Sequence, residues 1–333
     1  MNCLYPILFL LLASCSGPEQ DASLLQRQKA NFASEQFSHH LGVIAYLYGY
    51  PMVRMYSQLH NETQLVEAEQ RVYAPINRLF RWPTLETDVD LADIPCADDL
   101  PPALVALTAS AWIDLADGPV ILRTPALEEG LFAISLTNFY GELTGWKLND
   151  AAGEFQSTVL AQPGVDVRPP NSTGTVYSQT TSAHLKLRLL LPASGDIDAA
   201  RQKLEQLWLA SLAEFDPMEP APMPEARVAT RLDPMASLGF FEILNRELQR
   251  NTARGGSEAL LNQLDSIGIG PDSEFRQADL DPVRKRGLER AVRDGRAIVE
   301  AAVAGGPETW RGVRNNYLSQ AVAVNQLMAQ LED

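Results

Sequence analysis

The sequence predicts an α+β protein in which an antiparallel β-sandwich follows one N-terminal helix and precedes a helical region. Three observations carry that reading. Apolar residues recur at three- and four-residue steps from Phe37 to Met52, at two-residue steps from Val105 to Leu115, and at helical spacing again beyond Pro192. Between Ala103 and Leu191 the strand candidates are short and no helical pattern separates them, which argues against a doubly wound parallel sheet.

In chain order, residues 1–14 read as an export signal, 15–34 as a tether, 35–192 as a helix plus sandwich, and 193–333 as a helical region packed on the sandwich. The apolar run Leu4 to Leu12 is too short to span a bilayer and ends in Leu12-Ala13-Ser14-Cys15, the pattern of a cleaved signal. It resembles the bacterial lipobox, which implies lipidation of Cys15 as the first mature residue. Ser16 after it, by resemblance to lipoprotein sorting rules, implies the outer membrane. Residues 16–34 are polar and small, as a tether lifting the fold off the membrane should be. From Glu35, with Ser34 as N-cap, Phe37, Leu41, Ile44, Tyr48 and Met52 define a helix that Pro51 should end or kink near Tyr50.

Residues 83–102 are acidic and proline-bounded, so they read as a long loop. In the strand that follows, Val105, Leu107, Ala109, Ala111, Ile113 and Leu115 alternate with Ala106, Thr108, Ser110, Trp112 and Asp114, which predicts a half-buried strand. Asp117-Gly118 supplies a turn. Further strands are expected at Val120–Thr124, Leu131–Tyr140, Ser157–Ala161, Thr175–Thr180 and Ala183–Leu191. Asp196 caps a helix with the stripe Ala200, Leu204, Leu207, Trp208, Leu212 and Phe215, and Asp216–Pro224 reads as an extended connector. Four more helices are expected, at about Ala236–Arg250, Ser257–Ser266, Pro282–Ala304 with Asp281 as cap, and Thr309–Leu331.

Composition narrows the function. A formal charge of −15 opposes nucleic-acid binding, which needs Lys and Arg against phosphates, and leaves membrane association to the acyl anchor. With Cys3 removed in the signal and Cys15 lipidated, Cys96 is the one thiol left, so no intramolecular disulfide is expected. His39, His40, His60 and His184 are scattered and no HExxH, G-x-S-x-G or P-loop is present, so no metal or cofactor is implied. The acidic residues Glu86, Asp88, Asp90, Asp93, Asp98 and Asp99 do not fit a calcium loop.

Ala111-Trp112-Ile113-Asp114-Leu115, then Gly118-Pro119-Val120-Ile121-Leu122 and Asn138-Phe139-Tyr140, resemble the bacterial family called domain of unknown function 1254. Tyr48-Gly49-Tyr50-Pro51 resembles that family's opening helix. Ile267-Gly268-Ile269, Pro271, Phe275, Gly287-Leu288, Trp310 and Tyr317-Leu318 extend the likeness to roughly residues 36–330. The resemblance implies a jelly-roll-like sandwich with associated helices. Several polar positions usual in the family differ: Leu104 to Ser110 keeps only Leu107 and Ser110 of an Asn-Asp-Thr-Leu-Tyr-Ser stretch, and Asn138 stands where an Asp is usual. The chain ends at Asp333, where many relatives continue into a second sandwich, domain of unknown function 1214. If that second domain covers a face in relatives, a homodimer or a separately encoded partner is expected here.

Two groups are candidate site residues. Thr108, Ser110, Trp112 and Asp114 could join Asn138 and Tyr140 to line a pocket; alternatively Trp112 packs under a helix and Asp114 holds the Asp117-Gly118 turn. His184, Lys186 and Arg188 share one strand face, where they could hold an anion, Arg188 best through its planar fork, or simply be solvated. By resemblance, Arg188 sits where relatives often have Arg. Two functions follow as expectations: a non-catalytic, outer-membrane-anchored lipoprotein facing the periplasm that binds a small ligand or a partner chain, or a hydrolase or lyase acting on a small organic substrate near Trp112, Asp114 and Tyr140.

Overall fold

The computed structural model describes residues 18–64, 74–89, 100, 104–149, 155–215, 232–251, 255–305 and 317–332. The signal segment, Cys15, Cys96, most of the acidic stretch, the connector after Asp216 and the first residues of the last expected helix lie outside them. Helix α1 covers Pro18–Gln64. From Pro18 the expected tether is therefore helical and continuous with the helix expected at Glu35, so Ser34 is no N-cap. Nothing between Pro18 and Ser34 breaks a helix, and Leu, Ala, Gln, Arg and Lys favour one. Pro51 does not end the helix either. The lost backbone bond is outweighed because Tyr46, Tyr48, Met52, Val53 and Met55 around it are all buried. Phe37 and Ile44, which the spacing places in the apolar stripe, are exposed.

Nine strands are described. One sheet runs β1-β2-β8-β4-β5 and the other β7-β6-β3-β9. The first contains β1 (Phe80–Glu86), β2 (Leu104–Asp114), β4 (Leu131–Asn138), β5 (Leu143–Asn149) and β8 (Ser182–Pro192). The second contains β3 (Val120–Pro125), β6 (Phe155–Ala161), β7 (Ser172–Tyr177) and β9 (Trp208–Ser211). All pairings are antiparallel except β6 with β7. The sheets share one apolar core: Leu107, Ile113, Leu185, Leu187 and Ile134 from the first meet Leu122, Leu160, Val176 and Leu209 from the second. β2 is buried on both faces rather than half-buried, which is why its polar residues become interesting.

Part of the expected loop 83–102 is strand: β1 carries Pro83 at a register irregularity on the sheet edge, where a missing donor is tolerated. The helix expected to reach Phe215 stops as α2 at Glu205, because Trp208–Ser211 pairs with β3 as an edge strand. Asp196 caps α2 as expected, accepting from the Ala199 amide. Arg81 on β1 fastens this edge. Its guanidinium donates to the carbonyls of Leu204 (3.0 Å), Glu205 (3.2 Å) and Leu207 (2.8 Å), tying β1 to the end of α2. Arg81→Met should cost about 1–3 kcal/mol, seen as a lower denaturation midpoint at unchanged slope.

The remaining helices are α3 (Gly239–Arg250), α4 (Glu258–Asp265), α5 (Pro282–Gly305) and α6 (Tyr317–Glu332). With α1 they form a second core around Tyr46, Phe240, Phe241, Leu244, Leu288 and Val324, which Trp112, Phe139 and Tyr140 join from the sheet. Along the α1–α5 seam, Glu35 accepts from Arg286 (3.0 Å) and Arg290 (3.1 Å), and His39 bonds Asp294 (2.8 Å). The Arg286 bond holds the Glu35 carboxyl below its ordinary range, and the His39 bond does the same for Asp294. Lowered carboxylates contribute stability above their unfolded pKa values and lose it as pH falls through the folded ones. The melting temperature should therefore fall as pH drops below about 4, more steeply at low salt, and Glu35→Gln should flatten that decline.

Candidate functional site

The β2–β8–β4 register builds the site. Thr108 lies opposite Arg188, Ser110 opposite Lys186, and Trp112 opposite His184; on the other side of β8, Ala133, Ser135 and Thr137 face the same three residues. Directly opposed residues project from one face of a sheet. The two groups read separately in the sequence are thus three successive rungs of a single face. Its reverse carries Leu107, Ala109, Ala111 and Ile113 with Leu185, Leu187 and Leu189 into the shared core.

Aromatic residues edge the middle rung. On β1, the Trp82 indole donates to Ser110 Oγ at 3.0 Å. On β5, Trp146 pairs with Ser135 and is 41% exposed, so the rung opens at that edge. Ser110, Lys186, Ser135 and Trp146 together span about 15 Å at the usual strand spacing. On the outer rung, Thr108 donates to Glu86, whose carboxylate lies 3.4 Å from Arg188 Nε. Arg188 is 5% exposed and His184 is 1% exposed, so neither belongs to a solvated face. The inner rung meets α1: Trp112 Nε1 donates to Glu62 at 2.5 Å, and Gln58 Nε2 donates to the other oxygen of the same carboxyl. Burial, reinforced by the Lys186 charge, pushes His184 down to about 3, so its imidazole is neutral at ordinary pH.

The other expected site residues are placed elsewhere. Asp114 pairs with Arg250, has both its backbone groups bonded by the Asn77 side chain, and accepts from the Ala116 amide, so it anchors a turn and a helix end. It also borders a cleft of about 620 Å³ at the end of the sandwich, beside Arg78, Asp117 and Glu214. Asn138 has the opposite parity. Its side chain organises the 138–142 turn by accepting from the amides of Tyr140 (2.9 Å) and Glu142 (3.0 Å). Tyr140 is buried in the helical core, its ring 6.3 Å from that of Tyr48. Trp112 and Arg188, expected in separate groups, share the face; Asp114 has the same parity, opposite Ser182 at the inner end of the strand, but its carboxylate turns to Arg250, and Asn138 and Tyr140 do not line the face.

Glu62, Trp82 and Trp146 belong to this constellation without having been expected in it. Glu62 carried a signal, since it falls in step with Met52, Met55 and Leu59 on α1, where a carboxylate is out of place unless it has a partner. Among the described residues, no three His, Cys, Asp or Glu side chains come together as metal ligands would. No helix among them is long and apolar enough to cross a membrane.

Fold and face together define an α+β protein with a two-sheet core, a helical layer and one polar, tryptophan-edged sheet face. Residues 99–211, which contain β2 to β9, match the model of the family described as a protein of unknown function, DUF1254. No curated protein matches the chain. The crystal structure of the VPA0106 protein from Vibrio parahaemolyticus is similar, with a TM-score of 0.58 and 19% identity over 88% of this chain and 67% of that one. That likeness is one of fold. An uncharacterized protein from Burkholderia cenocepacia aligns over 91% of this chain and 60% of its own length at 12% identity, with a TM-score of 0.24, too low to carry an argument.

Proposed function

We propose that this protein is an envelope lipoprotein, held through Cys15 in the outer membrane and facing the periplasm, whose five-stranded sheet binds a small organic ligand without transforming it. The observation that carries the reading is the stack of three rungs, Thr108–Arg188, Ser110–Lys186 and Trp112–His184, on the face opposite the shared core. Hydroxyls, cations and a neutral imidazole set in an aromatic frame are what small-molecule sites use to orient a ligand.

The same arrangement speaks against the hydrolase or lyase reading. Asp114, the carboxylate that reading needs, is engaged by Arg250, and the His184 imidazole touches no hydroxyl that it could activate. Asp114→Asn should lower stability by no more than about 1 kcal/mol, because Arg250 is partly exposed and the pair is screened, and should leave ligand binding unchanged. Loss of turnover of any substrate in that variant would revive the enzyme reading.

A native mass spectrum of the protein extracted from its envelope in mild detergent tests the proposal. The expected spectrum shows a chain beginning at Cys15, heavier by its acyl groups, with a further small molecule that Lys186→Glu loses. An unacylated chain with nothing bound would contradict it.

A further inference from the structure

Both ring nitrogens of His184 are buried without a hydrogen-bonding partner among the described residues. The ring lies 4.8 Å from that of Trp112, tilted by 59°, and Thr137 stands opposite on β4. The groups around it are already committed. The Trp112 indole serves Glu62, and the Glu62 carboxyl is occupied by Trp112 and Gln58. Because it is neutral, the imidazole offers one N–H donor and one bare acceptor. Both have been taken from water with no return, an outlay that leucine, carried by the next residue at 185 and again at 187 and 189, would avoid. Buried polar groups in folded chains are almost always satisfied, so an orphaned pair on an interior strand points to a partner outside the described residues.

We infer that His184 is the inner anchor of the sheet-face site and receives an uncharged ligand group that both accepts and donates hydrogen bonds, with a primary carboxamide as the simplest case. The inference rests on the binding role proposed for this face and adds the chemistry of the ligand's inner end. An ionised carboxylate or ammonium is disfavoured there because it would be desolvated beside a neutral imidazole. The rest of the ligand would pass outward over Ser110, Lys186 and Ser135 toward Trp146, the edge of the face that is exposed.

The test titrates benzamide, with benzoate and benzylamine as charged counterparts, against wild type, His184→Leu and His184→Gln, following the tryptophan indole resonances by NMR. Benzamide should shift the Trp112 indole signal in wild type and bind at least tenfold more tightly than either charged compound. His184→Leu should weaken benzamide at least tenfold while melting no lower than wild type, and His184→Gln should recover part of the loss. Equal binding by His184→Leu, equal binding of the charged compounds, or a His184→Leu variant that melts several degrees lower would overturn the inference, the last because it would show that the imidazole is satisfied within the fold. Shifts confined to Trp82 and Trp146 would remove His184 from the site while leaving the face as a binding surface. Silence from Trp82, Trp112 and Trp146 alike would count against both.

Discussion

Replacing Gly287 by alanine should destabilise the protein by about 1–3 kcal/mol, the cost of overpacking a tight interface. Helix propensity alone predicts the opposite sign, since alanine in a helix interior gains up to about 1 kcal/mol over glycine. Packing decides the outcome. A Cβ on Gly287 would stand 2.5 Å from the Glu35 carbonyl oxygen and 3.0 Å from Ser38 Cβ, and a backbone oxygen cannot move aside as a side-chain end can. Gly42 answers from the other helix, where a Cβ would meet Ala291 Cβ at 2.6 Å. The two glycines let α1 and α5 approach closely, so the α1–α5 seam should open first in the Gly287→Ala variant. Hydrogen exchange should show faster exchange of seam amides than of amides in β2 and β8.

Trp112→Ala should cost about 3–5 kcal/mol, because a large buried side chain leaves a cavity that its surroundings fill incompletely. Trp112→Phe should cost about 1–3 kcal/mol. It keeps a ring for the edge-on contact with Phe139, at 6.2 Å, and loses the indole donor that Glu62 accepts from. Combining Trp112→Phe with Glu62→Leu should restore part of that loss, since removing both partners leaves no buried acceptor unmet. Denaturant unfolding of the two single variants and the double variant measures this coupling. Additive losses would mean that the bond between α1 and β2 contributes little, and the inner rung of the face would lose its fixed wall.

The core strands were legible because β2, β3, β4, β6 and β8 carry their period-two or β-branched pattern locally, whereas β7, expected at Thr175–Thr180, spans Ser172–Tyr177. The edges were not. β1 contains Pro83, β5 contains Gly145 and Lys147 with no alternation, and β9 is four residues whose Trp208 follows Leu207 in a helical stripe. Those strands exist because a neighbour supplies their hydrogen bonds, which is tertiary information. The length of α1 was hidden at both ends, by the polar residues before Glu35 that read as a tether and by Pro51, whose local penalty is overridden by burial around it.

The candidate site was half legible for a related reason. Period alone places Thr108, Ser110 and Trp112 on one face of their strand and His184, Lys186 and Arg188 on one face of theirs. That these two faces are the same face depends on the register between β2 and β8, which are far apart in the chain. Asn138 and Tyr140 look like site residues because they are polar or aromatic near a strand end. Their backbone and core roles appear only once the 138–142 turn and the helical layer are in place.

If the polar face of the five-stranded sheet holds a ligand, a crystal structure of protein taken gently from its native envelope will contain it. Density for a small organic molecule is expected over Ser110, Lys186 and Ser135, reaching inward to His184. A well-ordered face carrying only water there, with the same molecule bound elsewhere or not at all, would contradict it.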